Sequence, residues 1–323
     1  MQLYPEPGRA PPDLRGATVV LPAVAFFNVG ELAVDALIAT LGAAPAGRLD
    51  DADLLPVVGC GAFDHAGAGP EGRLATAMEL YWAGQGSKVF LIQQRAPAIP
   101  GRQRAFAESL AAWLASSGVA HVVVLSGLDA QYRRESQLEG SQARALSASE
   151  LAAAAAAAEP EAEPPLAPGS PRAAPRPGGS SDDAAAAAAA AVAARLGGLS
   201  LGGPEAAASE AARALGAPRL EPDAIARELE LHPLLPPWPL LRALSGARVP
   251  ATLLGRFAAE GDNVADGLAL GALLLQLLAA PGLLPGGDAA GAAARGGGGG
   301  GAQQLRTPAS WAGLYGRPYA EVA

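Results

Sequence analysis

Short unbroken apolar runs alternate along this chain with stretches in which apolar residues recur every three or four positions. Residues 18–21 (TVVL) are a run with no polar side. That pattern predicts a strand covered on both faces. Asn28 then opens a helical pattern with Leu32, Ala36, Ile38 and Leu41 on its core side. Glu31, three residues after Asn28, completes the signature of an N-cap with its capping-box partner. Residues 54–58 read as a second short strand. In RLATAMELYW (73–82), Leu74, Thr76, Met78 and Leu80 alternate with Ala75, Ala77, Glu79 and Tyr81. A period of two predicts one strand through the whole stretch. KVFLIQQR (88–95) predicts another strand, and residues 102–117 a helix with Phe106, Leu110, Trp113 and Leu114 on one face. Gly118 is placed to cap it. HVVVLSG (121–127) is a further buried strand, which completes a strand–helix–strand unit. A strand at 251–257 and an apolar helix after Asn263 follow later.

Between these blocks the pattern lapses. Residues 147–216 alternate polyalanine, proline-rich and acidic segments, and residues 286–302 are mostly glycine and alanine. Alanine favours helix, but such runs carry little amphipathic face to bury. The expectation is one α/β domain in two parts, 1–146 and 217–323. A mostly disordered Ala/Pro-rich insertion at 147–216 separates them, and 286–302 is a flexible linker. Thr307 and Pro308 suit the start of a last helix.

Composition narrows the partners. The 323 residues hold 31 acidic and 23 basic side chains, a formal charge of −8, with Lys88 the lone lysine. A nucleic-acid binder needs a concentrated basic face, and none is visible. A single cysteine, Cys60, rules out an intrachain disulfide. The first residues, MQLYPEPGRAPPDLRG, lack the apolar segment of a secretory signal. Residues 267–284 are the longest uncharged apolar run, but Pro281 and the polar entry at 262–266 favour a buried helix over a membrane span. Cytoplasm and nucleus are the expected setting.

Candidate chemistry is sparse. GAGPEG (67–72) matches G-x-G-x-x-G, but Pro70 lies inside it and a strand follows where a dinucleotide site requires a helix. His65, His121 and His232 each stand without a second ligand at metal spacing. Ser126 closes a buried strand in V-L-S-G-L, not in a nucleophile elbow. Glu260, Asp262 and Asp266 could serve as acid–base carboxylates. The simpler reading makes Gly261 a turn and Asn263, with Asp266 three residues on, a helix cap. No cofactor is expected.

The blocks LPAVAFFNVGELAVD (21–35), LIQQRAP (91–97), FAESLAAWLASSGVAHVVVLSGLD (106–129), EGDNVADGLAL (260–270) and TPASWAGLYG (307–316) occur in an order that resembles the proteasome assembly chaperone 2 family. The motif residues are Asn28, Val29, Gly30 and Glu31, and Glu260, Gly261, Asp262 and Asn263. The resemblance implies a single sandwich-like α/β domain with a mixed, largely parallel sheet, similar to phosphorylase and hydrolase folds but without their activity. It also implies a heterodimer with proteasome assembly chaperone 1. That pair would dock on the ring of proteasome α-type subunits, promote its formation and prevent off-pathway ring dimerisation. Tyr315, Tyr319, Val322 and Ala323 are the expected partner contacts. Glu31 stands where the family commonly has Gln. Tyr319 lies too early for the hydrophobic-Tyr-X ending with which chaperones of this class enter α-ring pockets.

Overall fold

Ten strands and seven α-helices make up the described residues of the computed structural model, which are 1–63, 74–84, 86–158, 204–280 and 305–311. The strands are β1 (Gln2–Pro5), β2 (Thr18–Pro22), β3 (Ala44–Asp50), β4 (Val58–Cys60), β5 (Leu74–Thr76), β6 (Met78–Trp82), β7 (Val89–Gln94), β8 (His121–Asp129), β9 (Ala143–Ser147) and β10 (Ala251–Ala258). The helices are α1 (Val29–Leu41), α2 (Gln103–Ser116), α3 (Ala148–Ala158), α4 (Pro204–Ala214), α5 (Pro222–Leu231), α6 (Trp238–Gly246) and α7 (Val264–Ala279).

Eight strands form one sheet in the order β1-β3-β6-β7-β2-β8-β10-β9. The four central strands, β7, β2, β8 and β10, run parallel, and antiparallel strands extend the sheet on both sides. This is the mixed α/β sheet that the alternation of runs and helical patterns predicts.

The apolar runs are continuous because both sheet faces are covered. Val19, Leu21, Val122, Val124 and Leu253 meet α2, α3, α5 and α6 on one face. Their neighbours Val20, Val123, Leu125 and Leu254 meet α1, α4 and α7 on the other. Every residue of β2 and β8 is therefore buried. Helix α2 buries Phe106, Leu110 and Leu114 as expected, and Gly118 follows it with φ +71°.

Four differences from the sequence reading have physical reasons. The stretch 73–82 is two strands in different sheets: β5 pairs with β4 in a small ribbon, while β6 joins the main sheet. Leu54 makes only an isolated bridge to Ala98, and the strand expected at 54–58 begins instead at Val58. Strands β1 and β3 have no apolar run and are held by their pairing partners. The segment 147–216 is ordered at both ends. Ser147 ends β9, and α3 and α4 bury Ala148, Leu151, Ala154, Ala208 and Ala212 in the two cores.

Sequence shows why α3 starts where it does. The Ser147 hydroxyl accepts from the Glu150 amide at 3.1 Å, and Glu150 accepts from the Ser147 amide at 2.8 Å. This is a complete capping box. Glu150 is buried and also pairs with Arg213 at 3.1 Å and Arg219 at 2.8 Å, which ties α3 to α4 and its following loop. Residues 159–203 and 286–302 lie outside the described residues. Helix α7 is buried against α1, and among the described residues no helix is long and apolar enough to cross a membrane.

Candidate functional site

The four parallel strands end along one edge of the sheet, the place where open α/β folds bind ligands. Strand β2 delivers the chain there to α1, and β10 delivers it to α7. The two motif blocks thus meet as neighbouring helix starts, although more than two hundred residues separate them in sequence.

Glycines set that proximity. A Cβ at Gly30 would fall on the carbonyl oxygen of Leu125 in β8, and a Cβ at Gly127 would fall on the carbonyl oxygen of Phe26. A Cβ at Gly267 would lie 2.6 Å from the Leu32 Cβ, so the first turns of α1 and α7 touch. The close approach of α1 to β8 is accompanied by backbone strain. Phe27 and Asn28, consecutive non-glycine residues, both sit in the left-handed region with φ 65° and 55°. Each such residue costs about 1–3 kcal/mol unless its surroundings hold it.

That conformation overturns the capping expectation for Asn28. An N-cap needs an extended backbone so that its side chain can reach back to the amides of the first turn. Asn28 is left-handed and exposed, and its side chain caps nothing. Glu31 does not close a capping box either. Its Oε2 is buried without a hydrogen-bond partner, and burial, followed by the nearby Asp35, pushes its carboxyl up to about 8.

The polar group beneath α1 is larger than the sequence indicated. Asp35 accepts from Gln93 Nε2 at 2.7 Å and from Arg95 at 2.9 and 3.3 Å. Gln93 Nε2 also donates to the Glu31 carbonyl at 2.9 Å, and Tyr81 donates to Glu79 at 2.8 Å. Burial works against the charge on Arg95, but Asp35 outweighs it and leaves that guanidinium's pKa raised. The blocks NVGELAVD and LIQQRAP are thereby joined through side chains. The available signal was a set of polar residues inside otherwise apolar elements.

At the second block, Gly261 turns the chain with φ +143°. Asp262 Oδ1 accepts from the Val264 amide at 3.0 Å, so Asp262, not Asn263, tethers the first turn of α7. Asn263 is buried, but its Nδ2 donates to the carbonyls of Ala259 and Gly261, both at 3.1 Å. Asp266 is drawn to Arg256 at 2.6 Å and caps nothing. Glu260 is exposed.

The other candidates are dispersed. Ser126 is fully buried and its hydroxyl donates to the Gly127 carbonyl at 2.9 Å. His121 sits against Thr252 at 3.1 Å, and burial pushes its imidazole down to about 4. His232 ends α5 and packs on Phe26 and Tyr132, with ring centroids 5.7 and 5.8 Å away. Cys60 is exposed. Among the described residues no three His, Cys, Asp or Glu side chains are grouped to hold a metal ion. His65, GAGPEG and the expected contacts Tyr315, Tyr319, Val322 and Ala323 lie outside the described residues. Thr307 and Pro308 lead into a single 3-10 turn at Ala309–Trp311.

Fold and site define an α/β sandwich whose carboxyl edge carries two neighbouring helix starts, with Asp35, Asp262, Asn263 and Asp266 tied to backbone or to polar and charged side chains. The chain belongs to the PAC2 family, whose sequence pattern matches residues 19–210. It is 37% identical to proteasome assembly chaperone 2 of Nematostella vectensis over 139 residues, 42% of this chain and 56% of that protein. It is 34% identical to proteasome assembly chaperone 2 of Homo sapiens over 139 residues, 43% of this chain and 52% of that one. The chain thus spans about half the length of the curated relatives it matches. Among solved structures, one that aligns with the chain is Pyrococcus furiosus PbaA, described as an archaeal homologue of proteasome-assembly chaperone. It has TM-score 0.48 and 12% identity, covering 84% of this chain and 80% of that one.

Proposed function

We propose that this protein is a non-enzymatic chaperone for assembly of the 20S proteasome core particle. In this reading it pairs with proteasome assembly chaperone 1, and the pair docks on the ring of α-type subunits. There it promotes ring formation and shields a face on which two rings would otherwise dimerise. The setting is cytoplasm and nucleus. Mechanistically such a chaperone needs only a rigid, complementary surface, because affinity comes from a few buried anchors within a broad contact.

The observation that carries this reading is the use made of the motif blocks. Relatives named proteasome assembly chaperone 2 match the chain, and three polar residues of the matching blocks serve as ties within the protein. Asp262 holds an amide, Asn263 holds two carbonyls, and Asp35 holds Arg95. Of the candidate acid–base carboxylates, Asp262 is engaged by the Val264 amide and Asp266 by Arg256, whereas an acid–base role would need them free to meet a substrate. Ser126, the other candidate, is enclosed in β8.

Affinity purification of the tagged protein under gentle lysis, followed by mass spectrometry, tests the proposal. Proteasome assembly chaperone 1 and α-type subunits should be recovered in excess over β-type subunits. Recovery of neither, from cells that assemble proteasomes normally, would overturn it.

A further inference from the structure

Strands β6 and β7 place Trp82 directly opposite Phe90, on the sheet face that also carries Ala46 of β3. Directly opposed residues of an antiparallel pair lie side by side on one face. Over this corner of the sheet runs the segment that joins β1 to β2, with Pro7, Pro11 and Pro12 in it. Between segment and sheet is an open cavity of about 460 Å³, a size at which small molecules are held. Trp82, Phe90, Ala46 and Pro12 form its apolar walls, and Arg9 and Lys88 stand among its polar lining. None of the residues lining it belongs to either motif block at the helix starts.

The walls are fixed before any ligand arrives. The Trp82 indole donates to the Ser87 carbonyl at 3.0 Å. The covering segment is anchored by buried Leu14 and by the Gly16 amide, which donates to the Gly118 carbonyl at 2.8 Å. Its prolines have a fixed φ and little freedom left to lose on binding. The charges at the rim are committed unequally. Asp13 is held by Arg15, whose Nε and Nη2 lie 2.8 and 3.2 Å from its two oxygens. Lys88, the lone lysine of an acidic chain, is held at longer range, 3.5 Å from the Arg15 carbonyl and 3.7 Å from Asp13. Arg9 donates to the Pro45 carbonyl at 3.3 Å, which uses one of a guanidinium's five N–H donors. An acid reaching this rim therefore meets two cations and one carboxylate that is already paired.

We propose that this cavity binds an apolar monoacid, a flat ring bearing one carboxylate. The ring lies against Trp82 and Phe90, where aromatic surface is covered on both sides. The carboxylate meets Arg9 and Lys88 in charge-assisted hydrogen bonds, which are stronger than neutral ones. The apolar walls supply the burial and the two cations decide which apolar molecule is kept.

Titration of the full chain with 2-naphthoate tests this. Because Lys88 is the lone lysine, reductive methylation with 13C-formaldehyde gives a single lysine signal that reports on the rim. Saturable binding at about 1 mM or tighter is expected by calorimetry, and the Lys88 signal should move along the same isotherm. 2-Naphthamide, of the same shape without the charge, should bind about tenfold more weakly. Arg9→Met combined with Lys88→Met should bring 2-naphthoate down to the level of the amide and leave the amide unchanged. Both side chains are exposed, so the double variant should melt with the parent. The peptide acetyl-Gly-Gly-Phe carries the same chemistry at a chain end. Tighter binding than 2-naphthoate would support the site and assign it to a protein terminus; weaker binding would assign it to a small acid. No saturable binding, equal affinity for acid and amide, an unmoved Lys88 signal, or a double variant that binds 2-naphthoate like the parent would overturn the proposal. No partner chain takes part, so its failure leaves the proposed chaperone role standing.

Discussion

Glu31 is the residue whose sequence signature and structural state differ most. A capping-box glutamate would be solvated and charged, but this one is turned under α1 beside Asp35 with an unpartnered oxygen. Its folded-state carboxyl titrates near 8, above the ordinary value of 4.5. The folded protein therefore binds more protons than the unfolded chain between those limits, and stability falls as pH rises through that window. At neutral pH the cost is on the order of 3 kcal/mol. Glu31→Gln should remove it: thermal melts of the variant should exceed those of the parent by several degrees at pH 7.5 and match them near pH 4.5. An unchanged pH dependence would mean that Glu31 is not the buried acid.

Glycine positions make a second residue-scale case. Gly30→Ala places a methyl on the Leu125 carbonyl, and Gly127→Ala places one on that of Phe26. Neither neighbour is a flexible side-chain tip, so helix or strand must shift, at about 1–3 kcal/mol each. Gly59→Ala, with nothing within 4 Å of the added carbon, is the control. Urea unfolding should separate the first two from the third.

At the scale of elements, helix starts decide the accuracy of the sequence reading. The start of α7 at Asn263 was legible, but its chemistry was not. Asn263 acts as a donor to two carbonyls, so Asn263→Asp should destabilise more than Asn263→Ala, because a carboxylate would face carbonyl oxygens. If Asn263 were an ordinary cap, aspartate would be tolerated as well as asparagine. Chemical denaturation of the pair distinguishes the two. The capping box that does form, Ser147 with Glu150, was present in the sequence as S-x-x-E. It was obscured by the alanine run behind it. Strand β3, with Pro45 and Gly47 in a short stretch, gave no period to read, because its stability comes from pairing with β1 and β6.

At the scale of the molecule, the described ends of the Ala/Pro-rich segment belong to the packed body. Removing 150–215 would delete Leu151, Ala154, Ala208 and Ala212 from the cores, together with the ion pairs of Glu150. Such a chain should fail to fold. Replacing only 159–203 with a flexible linker should leave a cooperative melt within a few degrees of the parent. It should also leave α-ring recovery intact if the proposed function holds. A collapse of the melt would show that the replaced residues belong to the folded body.

The sequence by itself determined the strands buried on both faces, the amphipathic α2 and the positions of the glycine turns. Each of these depends on residues close together in the chain, where period and local sterics suffice. Tertiary structure alone decided which polar groups meet. Asp35 finds Gln93 and Arg95, Gly30 finds β8, and Asp262 displaces Asn263 as the tether of α7, because the sheet order brings these strand ends to one edge. Hydrogen bonds and charges act over a few ångströms, so the chemistry of a polar residue depends on neighbours that only the folded chain supplies.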